Sequence, residues 1–176
     1  MADELTGLLT GRDLAPSAFD GQTLALFVDI DGLIWLNERH GHGVGDRSIV
    51  MVADAIVGRA KTVRGASNYR IGGDEFLVVL PAFCLDSAIE LARAIVEDVR
   101  GMQIEYARRD QPSRTKLEVN AVAVRLTTAA FGRYFESCRL TEEFRNYLWE
   151  AIDAKKRETG SQAGIVATCA ELGVPD

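Results

Sequence analysis

Apolar and polar positions along this chain follow two periods, one of strands and one of helices. Leu24 to Val28 is a continuous apolar run of the buried-strand kind, and it stops abruptly at Asp29-Ile30-Asp31-Gly32. A helical segment is expected near 33 to 40. After it, Ile49, Val52, Ala53, Ile56, Val57 and Ala60 recur at helical spacing, which predicts a longer amphipathic helix with Asp46 as its N-cap. Strands at about 66 to 71 and 75 to 80 flank Gly72-Gly73 and read as a hairpin. A second amphipathic helix carries Ala88, Leu91, Ala92, Ile95 and Val99 on one face. Strands at about 103 to 109 and 116 to 126 lie on either side of a polar turn, Arg109 to Ser113. A late helix at about 141 to 158 precedes a strand near 164 to 168, and a short helix is expected from Leu5 to Ala15. The order βαββαβ with added strands predicts an α+β fold: a mainly antiparallel central sheet with helices packed on one face. No repeat or low-complexity linker interrupts it, so residues 1–176 read as one domain.

Two acidic clusters fall where this pattern places strand ends. Asp74 and Glu75 follow Gly72-Gly73, whose missing side chains allow a close approach by a bulky anionic ligand. Adjacent residues on a hairpin point to opposite faces, so these two carboxylates are expected to do different work. Asp29 ends the strand that neighbours this hairpin. Carboxylates from two adjacent strands can share a hard cation such as Mg²⁺, which takes few protein ligands and leaves its other positions to water and phosphate. Read alone, the Gly-Gly-Asp turn is equally well an ordinary solvated turn. His40 and His42 form a His-x-His pair without a nearby cysteine, for which a turn role outweighs metal ligation.

With these residues in view, the chain resembles the GGDEF family of diguanylate cyclases. The resemblance is carried by Gly72 to Phe76, by Asp29-Ile30-Asp31 with Asn37, Gly41-His42 and Gly45-Asp46, and by Leu5-Thr6-Gly7-Leu8. It implies a ferredoxin-like palm core of the nucleotide-cyclase type and a condensation of two GTP into cyclic di-GMP and pyrophosphate. Metal ions, Mg²⁺ or Mn²⁺, would ride on Asp29, Asp74 and the carbonyl of Ile30. Backbone N–H groups of the turn Asp31, Gly32 and Leu33 would cradle phosphates at a helix start. Asn37 and Asp46 would read guanine, a base that offers a donor pair adenine lacks; for Asp46 this stands beside the helix-cap reading. Asp74 and Glu75 take the catalytic roles, with Glu75 orienting or deprotonating the attacking hydroxyl. Arg70 and Lys155 join the substrate-binding residues. Each subunit would present one GTP, so the resemblance implies a transient homodimer, and a sensory or regulatory partner beside it.

Several positions depart from the family's pattern. Ile34 stands where a phosphate-facing lysine is expected, and Gly32 stands in place of an aromatic. The late Lys-x-x-Gly-Arg clamp is blurred in Lys155-Lys156-Arg157-Glu158-Thr159-Gly160, whose cations serve a helix C-terminus equally well. The alternative to a working cyclase is therefore a degenerate module that binds guanine nucleotide and regulates a partner. Val63 and Ala66 occupy the positions of the family's Arg-x-x-Asp product-binding motif, so product feedback through that site is not expected.

Composition narrows the remaining classes. The chain has 176 residues, 47% of them apolar, and a formal net charge of -6, which disfavours nucleic acid and requires local cations for a polyphosphate ligand. No signal peptide or membrane anchor is expected from these residues, and Cys84, Cys138 and Cys169 lack metal or redox spacing. A bacterial, cytoplasmic signalling protein is expected.

Overall fold

The computed structural model describes residues 2–15, 18, 20–81, 85–108, 111–127, 135–136, 139–160 and 164–168. The three cysteines and the turn residues Arg109 and Asp110 lie outside them. The apolar run seen in the sequence is the centre of β2 (Asp20–Ile30), which pairs antiparallel with β4 (Glu75–Leu80) on one side and β7 (Val119–Thr127) on the other. β3 (Ser67–Arg70) continues the sheet antiparallel to β4. The edges are parallel additions: β1 (Leu9–Thr10) beside β3 and β10 (Val166–Thr168) beside β7, in the order β1-β3-β4-β2-β7-β10. The sheet is thus mostly antiparallel, as the element order predicted.

Both faces of this sheet are covered. Leu24, Leu26, Val28 and Ile30 alternate onto one face, where Phe76, Val78 and Leu80 join them beneath α1 (Leu33–His40), α2 (His42–Ala60) and α3 (Leu85–Arg100). Ala25 and Phe27 alternate onto the other face, beneath the helix Glu142–Thr159, here α4. The expectation of helices on one face is therefore corrected: a strand apolar at every position must be dry on both sides, and α4 supplies the second cover. Phe144 seats α4, its ring meeting Phe27 edge-on at 5.2 Å between centroids. Thr141 caps the helix, its Oγ1 accepting from the Phe144 N–H at 3.3 Å.

Three other expectations change. Leu5 to Ala15 is not a helix: the Asp3 carboxylate accepts from the N–H and hydroxyl of Thr6, and the chain then enters β1 and a 3-10 turn at Gly11–Asp13. A side chain that bonds its own backbone competes with a helix start. Next, α2 begins at His42, four residues before Asp46, so Asp46 is not its N-cap. Gly41, at φ 86, ends α1 and opens α2 at once. Finally, the polar segment after residue 110 is strand rather than turn. Among the described residues β6 (Gln111–Lys116) pairs with β5 (Gln103–Arg108) alone, and this ribbon shows little apolar alternation because most of it is not core. It leans on α1 and α2 through a His40–Tyr106 ring contact at 4.0 Å and an Arg47 Nη2 donation to the Glu105 carbonyl at 3.0 Å. A two-residue pair, β8 (Phe135–Glu136) with β9 (Arg139–Leu140), precedes α4. Among the described residues no helix is long and apolar enough to cross a membrane.

Candidate functional site

Strand register brings the carboxylates together. Asp29 sits directly across from Glu75 on β4 and from Asn120 on β7. Side chains of directly opposed residues share a face, so all three lie on the α4 side of the sheet. Asp74 belongs to the turn before β4, and its carbonyl accepts the Ile30 N–H at 3.1 Å, which fixes the turn against the end of β2. Asp29, Asp74 and Glu75 open onto one cavity of about 1000 Å³. Arg70 lines it too, bound to both oxygens of Asp3 and, through Nη2, to the Gly73 carbonyl at 2.8 Å. Arg12, Arg145 and Trp149 are also part of the wall.

Negative charge is crowded here. Burial, and after it the neighbouring carboxylates of Asp74, Glu75 and Asp31, push the Asp29 carboxyl up to about 8, against a smaller opposing pull from Arg145. No three or more His, Cys, Asp or Glu among the described residues form a preassembled metal cage. The donor set nevertheless suits a hard divalent cation, which takes one or two carboxylates, completes its shell with water and phosphate, and would offset the repulsion among these carboxylates.

Arg145 was not singled out from sequence. Its Nε and Nη2 donate to Oε1 and Oε2 of Glu75 at 2.8 and 2.9 Å, a two-pronged ion pair across 70 positions of chain. The Glu75 carboxylate also lies so close over Gly72 that a β-carbon there would collide with it. No local pattern announces such a partner, since Arg145 looks like any polar residue of an amphipathic helix. Asn120 was missed as well: its Oδ1 accepts the Ile165 N–H at 3.1 Å, while its buried Nδ2 lacks a partner in a small cavity of about 30 Å³ shared with Asp29.

Apart from Lys155, the remaining candidates lie on the α1–α2 side. Asn37, Ile34, Glu38 and His42 line a separate cavity of about 320 Å³. The Asn37 Oδ1 is buried without a partner, tight against Gly45, where any β-carbon would strike it. Asp46 follows on α2 with its side chain exposed, outside the lining of this cavity. Ile34 is 71% exposed at the cavity mouth, and Trp35 is 53% exposed beneath the Arg39 guanidinium. Ile34 is therefore not part of a buried apolar face. In the turn Asp31-Gly32-Leu33, the Asp31 N–H already donates to the Glu118 carbonyl at 3.0 Å, so it is not one of the open donors expected for phosphate. Gly32, at φ 71, stands at the start of α1, and Leu33 turns its side chain into the core. Lys155 pairs with Glu158 at 2.8 Å on α4 and lines neither cavity. Val63 and Ala66 pack against the core, away from any charged partner role.

Comparison with known proteins agrees with this architecture. The model of the "Diguanylate cyclase, GGDEF domain" family matches residues 12–135, and the chain belongs to that family. It is 32% identical to the diguanylate cyclase DgcM of Escherichia coli over 111 residues, 58% of this chain and 27% of that protein. It is likewise 32% identical to the diguanylate cyclase VdcA of Vibrio cholerae over 108 residues, 56% of this chain and 29% of that protein. The chain thus spans less than a third of these relatives. Among solved structures, the GGDEF domain of DgcB from Caulobacter crescentus, in complex with c-di-GMP, superposes with a TM-score of 0.71 at 22% identity, over 96% of this chain and 95% of that one. The diguanylate cyclase SiaD of Pseudomonas aeruginosa, bound to its activator SiaC, does so with a TM-score of 0.68 at 20% identity, over 95% and 61%. These likenesses show the fold.

Proposed function

We propose that this domain condenses two molecules of GTP into cyclic di-GMP and pyrophosphate, one GTP held by each of two facing protomers. The observation that carries this reading is the convergence of Asp29, Asp74 and Glu75 on one open cavity at the end of β2, in a chain of this family. Asp29, Asp74 and the Ile30 carbonyl would hold Mg²⁺ or Mn²⁺, which supplies neutralisation of phosphate charge and acidifies the attacking 3′-hydroxyl. The chain's own residues do the rest. Arg70 braces the Gly-Gly turn, so that Asp74 and Glu75 keep their spacing as charge builds. The unpartnered Oδ1 of Asn37 is an acceptor for a base N–H, and the exposed Asp46, further along α2, would accept from the guanine amino edge. Two bound nucleotides must meet head to tail, which a two-fold pair of protomers provides. The reading places the domain in cytoplasmic signalling, with a regulatory partner setting its activity.

A second reading is favoured by one observation: both oxygens of Glu75 are engaged by Arg145, and an exposed isoleucine occupies the position of the family's lysine. On that reading the domain binds GTP without turning it over and regulates a partner by occupancy. Calorimetry with GTP and ATP, each with and without Mg²⁺, tests the binding common to both; equal affinity for the two nucleotides defeats both. Chromatography of the products after incubation with GTP and Mg²⁺ then decides between them.

A further inference from the structure

We propose that Arg145 is a positioning residue for the phosphate end of the nucleotide: it holds Glu75 while the acidic site lacks a cation and passes its guanidinium to the substrate's phosphates when the site is loaded. The proposal rests on the nucleotide reading above and names a residue outside the family's late lysine-arginine clamp. The Arg145–Glu75 fork takes one acceptor site on each carboxylate oxygen, so in this arrangement Glu75 meets a metal or a hydroxyl proton with only its remaining lone pairs and with its charge already neutralised. Glu75 is the more enclosed member of the pair: its side chain is only 19% exposed and lies over Gly72. Arg145 has the freedom that Glu75 lacks.

Its backbone is anchored one residue after Phe144, which is buried against Phe27, while its side chain is 40% exposed at the edge of the large cavity. Of the other two guanidiniums that line the cavity, Arg12 comes from the 3-10 turn and Arg70 is committed to Asp3 and the Gly73 carbonyl. Lys155, where the sequence placed a phosphate-binding cation, is paired with Glu158 outside the cavity, and Ile34 carries no charge. Arg145 is therefore the cation on α4 that the fold delivers to the acidic end. With a divalent cation among the carboxylates, the guanidinium no longer supplies the charge that Glu75 needs and is itself repelled. The strongest anion within its reach is then the polyphosphate, which a guanidinium recognises through the same planar fork.

Trp149, one turn further along α4 and lining the same cavity, gives a readout independent of turnover. In a Trp35→Phe background, its fluorescence is followed during titration with Mg²⁺ alone, with inorganic tripolyphosphate plus Mg²⁺, and with GTP plus Mg²⁺. Arg145→Gln is expected to bind Mg²⁺ alone about threefold tighter, because Glu75 is released, and both triphosphates about tenfold weaker. Arg145→Lys should recover part of the triphosphate affinity. The gain for Mg²⁺ should vanish when Glu75→Gln is already present, since the pair it breaks is gone. Thermal melts check that each variant folds. Tighter binding of metal and triphosphate together would make Arg145 a mere block and overturn the proposal; weaker binding of both would make it a structural brace and overturn it equally. Wild type that binds Mg-tripolyphosphate better than Arg145→Gln but does not prefer GTP over ATP would retain the Arg145 assignment and remove the guanine reading alone.

Discussion

The acidic cavity and the Asn37 cavity are built in opposite ways. Asn37 owes its position to its immediate neighbourhood: α1 and α2 are joined at Gly41, and Gly45, on the first turns of α2, makes room for the amide. The acidic cavity is assembled from distance. Asp29, Glu75 and Asn120 meet through strand register, and Arg145 arrives from a helix on the other side of 70 residues of chain. The difference teaches that the Asn37 cavity can be carried by a short segment, whereas the acidic cavity depends on the whole sheet being in register. A one-residue slip of β4 would turn Glu75 to the opposite face and leave Asp29 without its counterpart.

Breaking the acidic half should have the largest effect. Asp74→Ala is expected to remove the Mg²⁺ dependence of GTP binding altogether, measured by calorimetry with and without chelator; unaltered binding would detach Asp74 from the cation. Breaking the local half should cost less and leave metal binding intact. Gly45→Ala places a methyl group on the Asn37 amide and is expected to lower GTP affinity by about tenfold or more through the lost base contact, with Mg²⁺ affinity unchanged. Gly43→Ala is its control, because nothing lies within 4 Å of a β-carbon there.

Ile34→Lys sharpens the comparison by adding a cation from the α1 side. Since Ile34 is 71% exposed, the lysine should leave folding stability, read from thermal melts, unchanged within about 0.5 kcal/mol. Cyclic di-GMP synthesis should rise about tenfold, or about 1.4 kcal/mol of transition-state stabilisation. A folded variant with unaltered turnover would show that charge at this position is not limiting, and would shift weight to the nucleotide-binding module.

The smallest effect concerns pH. The Asp29 carboxyl is pushed up to about 8 in the folded chain, from an ordinary value of 3.8. Between these values the folded state holds a proton that the unfolded state has released, so stability without metal should fall as pH rises through that window. Asp29→Asn should flatten the dependence. Thermal melts in chelator at successive pH values check it, and a parent slope matching that of the variant would assign the effect elsewhere.

How far the sequence reached follows the same division. The strand at Leu24 to Val28, the hairpin around Gly72-Gly73 and the helices at 33 to 40 and 85 to 100 were legible because each is stated by its own period of apolar residues. The acidic residues were legible because they interrupt those periods at strand ends. Asp46 was misread as a cap because Asp is a good N-cap in general, while the glycine at position 41 performs that role through its backbone alone. The region from Leu5 to Ala15 was misread because its apolar spacing suits a helix, yet the Asp3 side chain satisfies the backbone locally instead. The ribbon β5–β6 was half hidden, since a strand pair off the main sheet needs no apolar alternation.

By itself the sequence determined the elements, the family and the set of carboxylates, because these depend on residue type and on spacing within a few turns or a few strand positions. Only the tertiary structure decided that α4 covers the second face of the sheet, that Ile34 lies exposed, that the Asp31 N–H is already used, and that Arg145 grips Glu75. Those facts depend on which distant surfaces meet. A helix that is polar on one side states that it has a partner, and nothing in its period says which charged group of the partner its own arginine will reach.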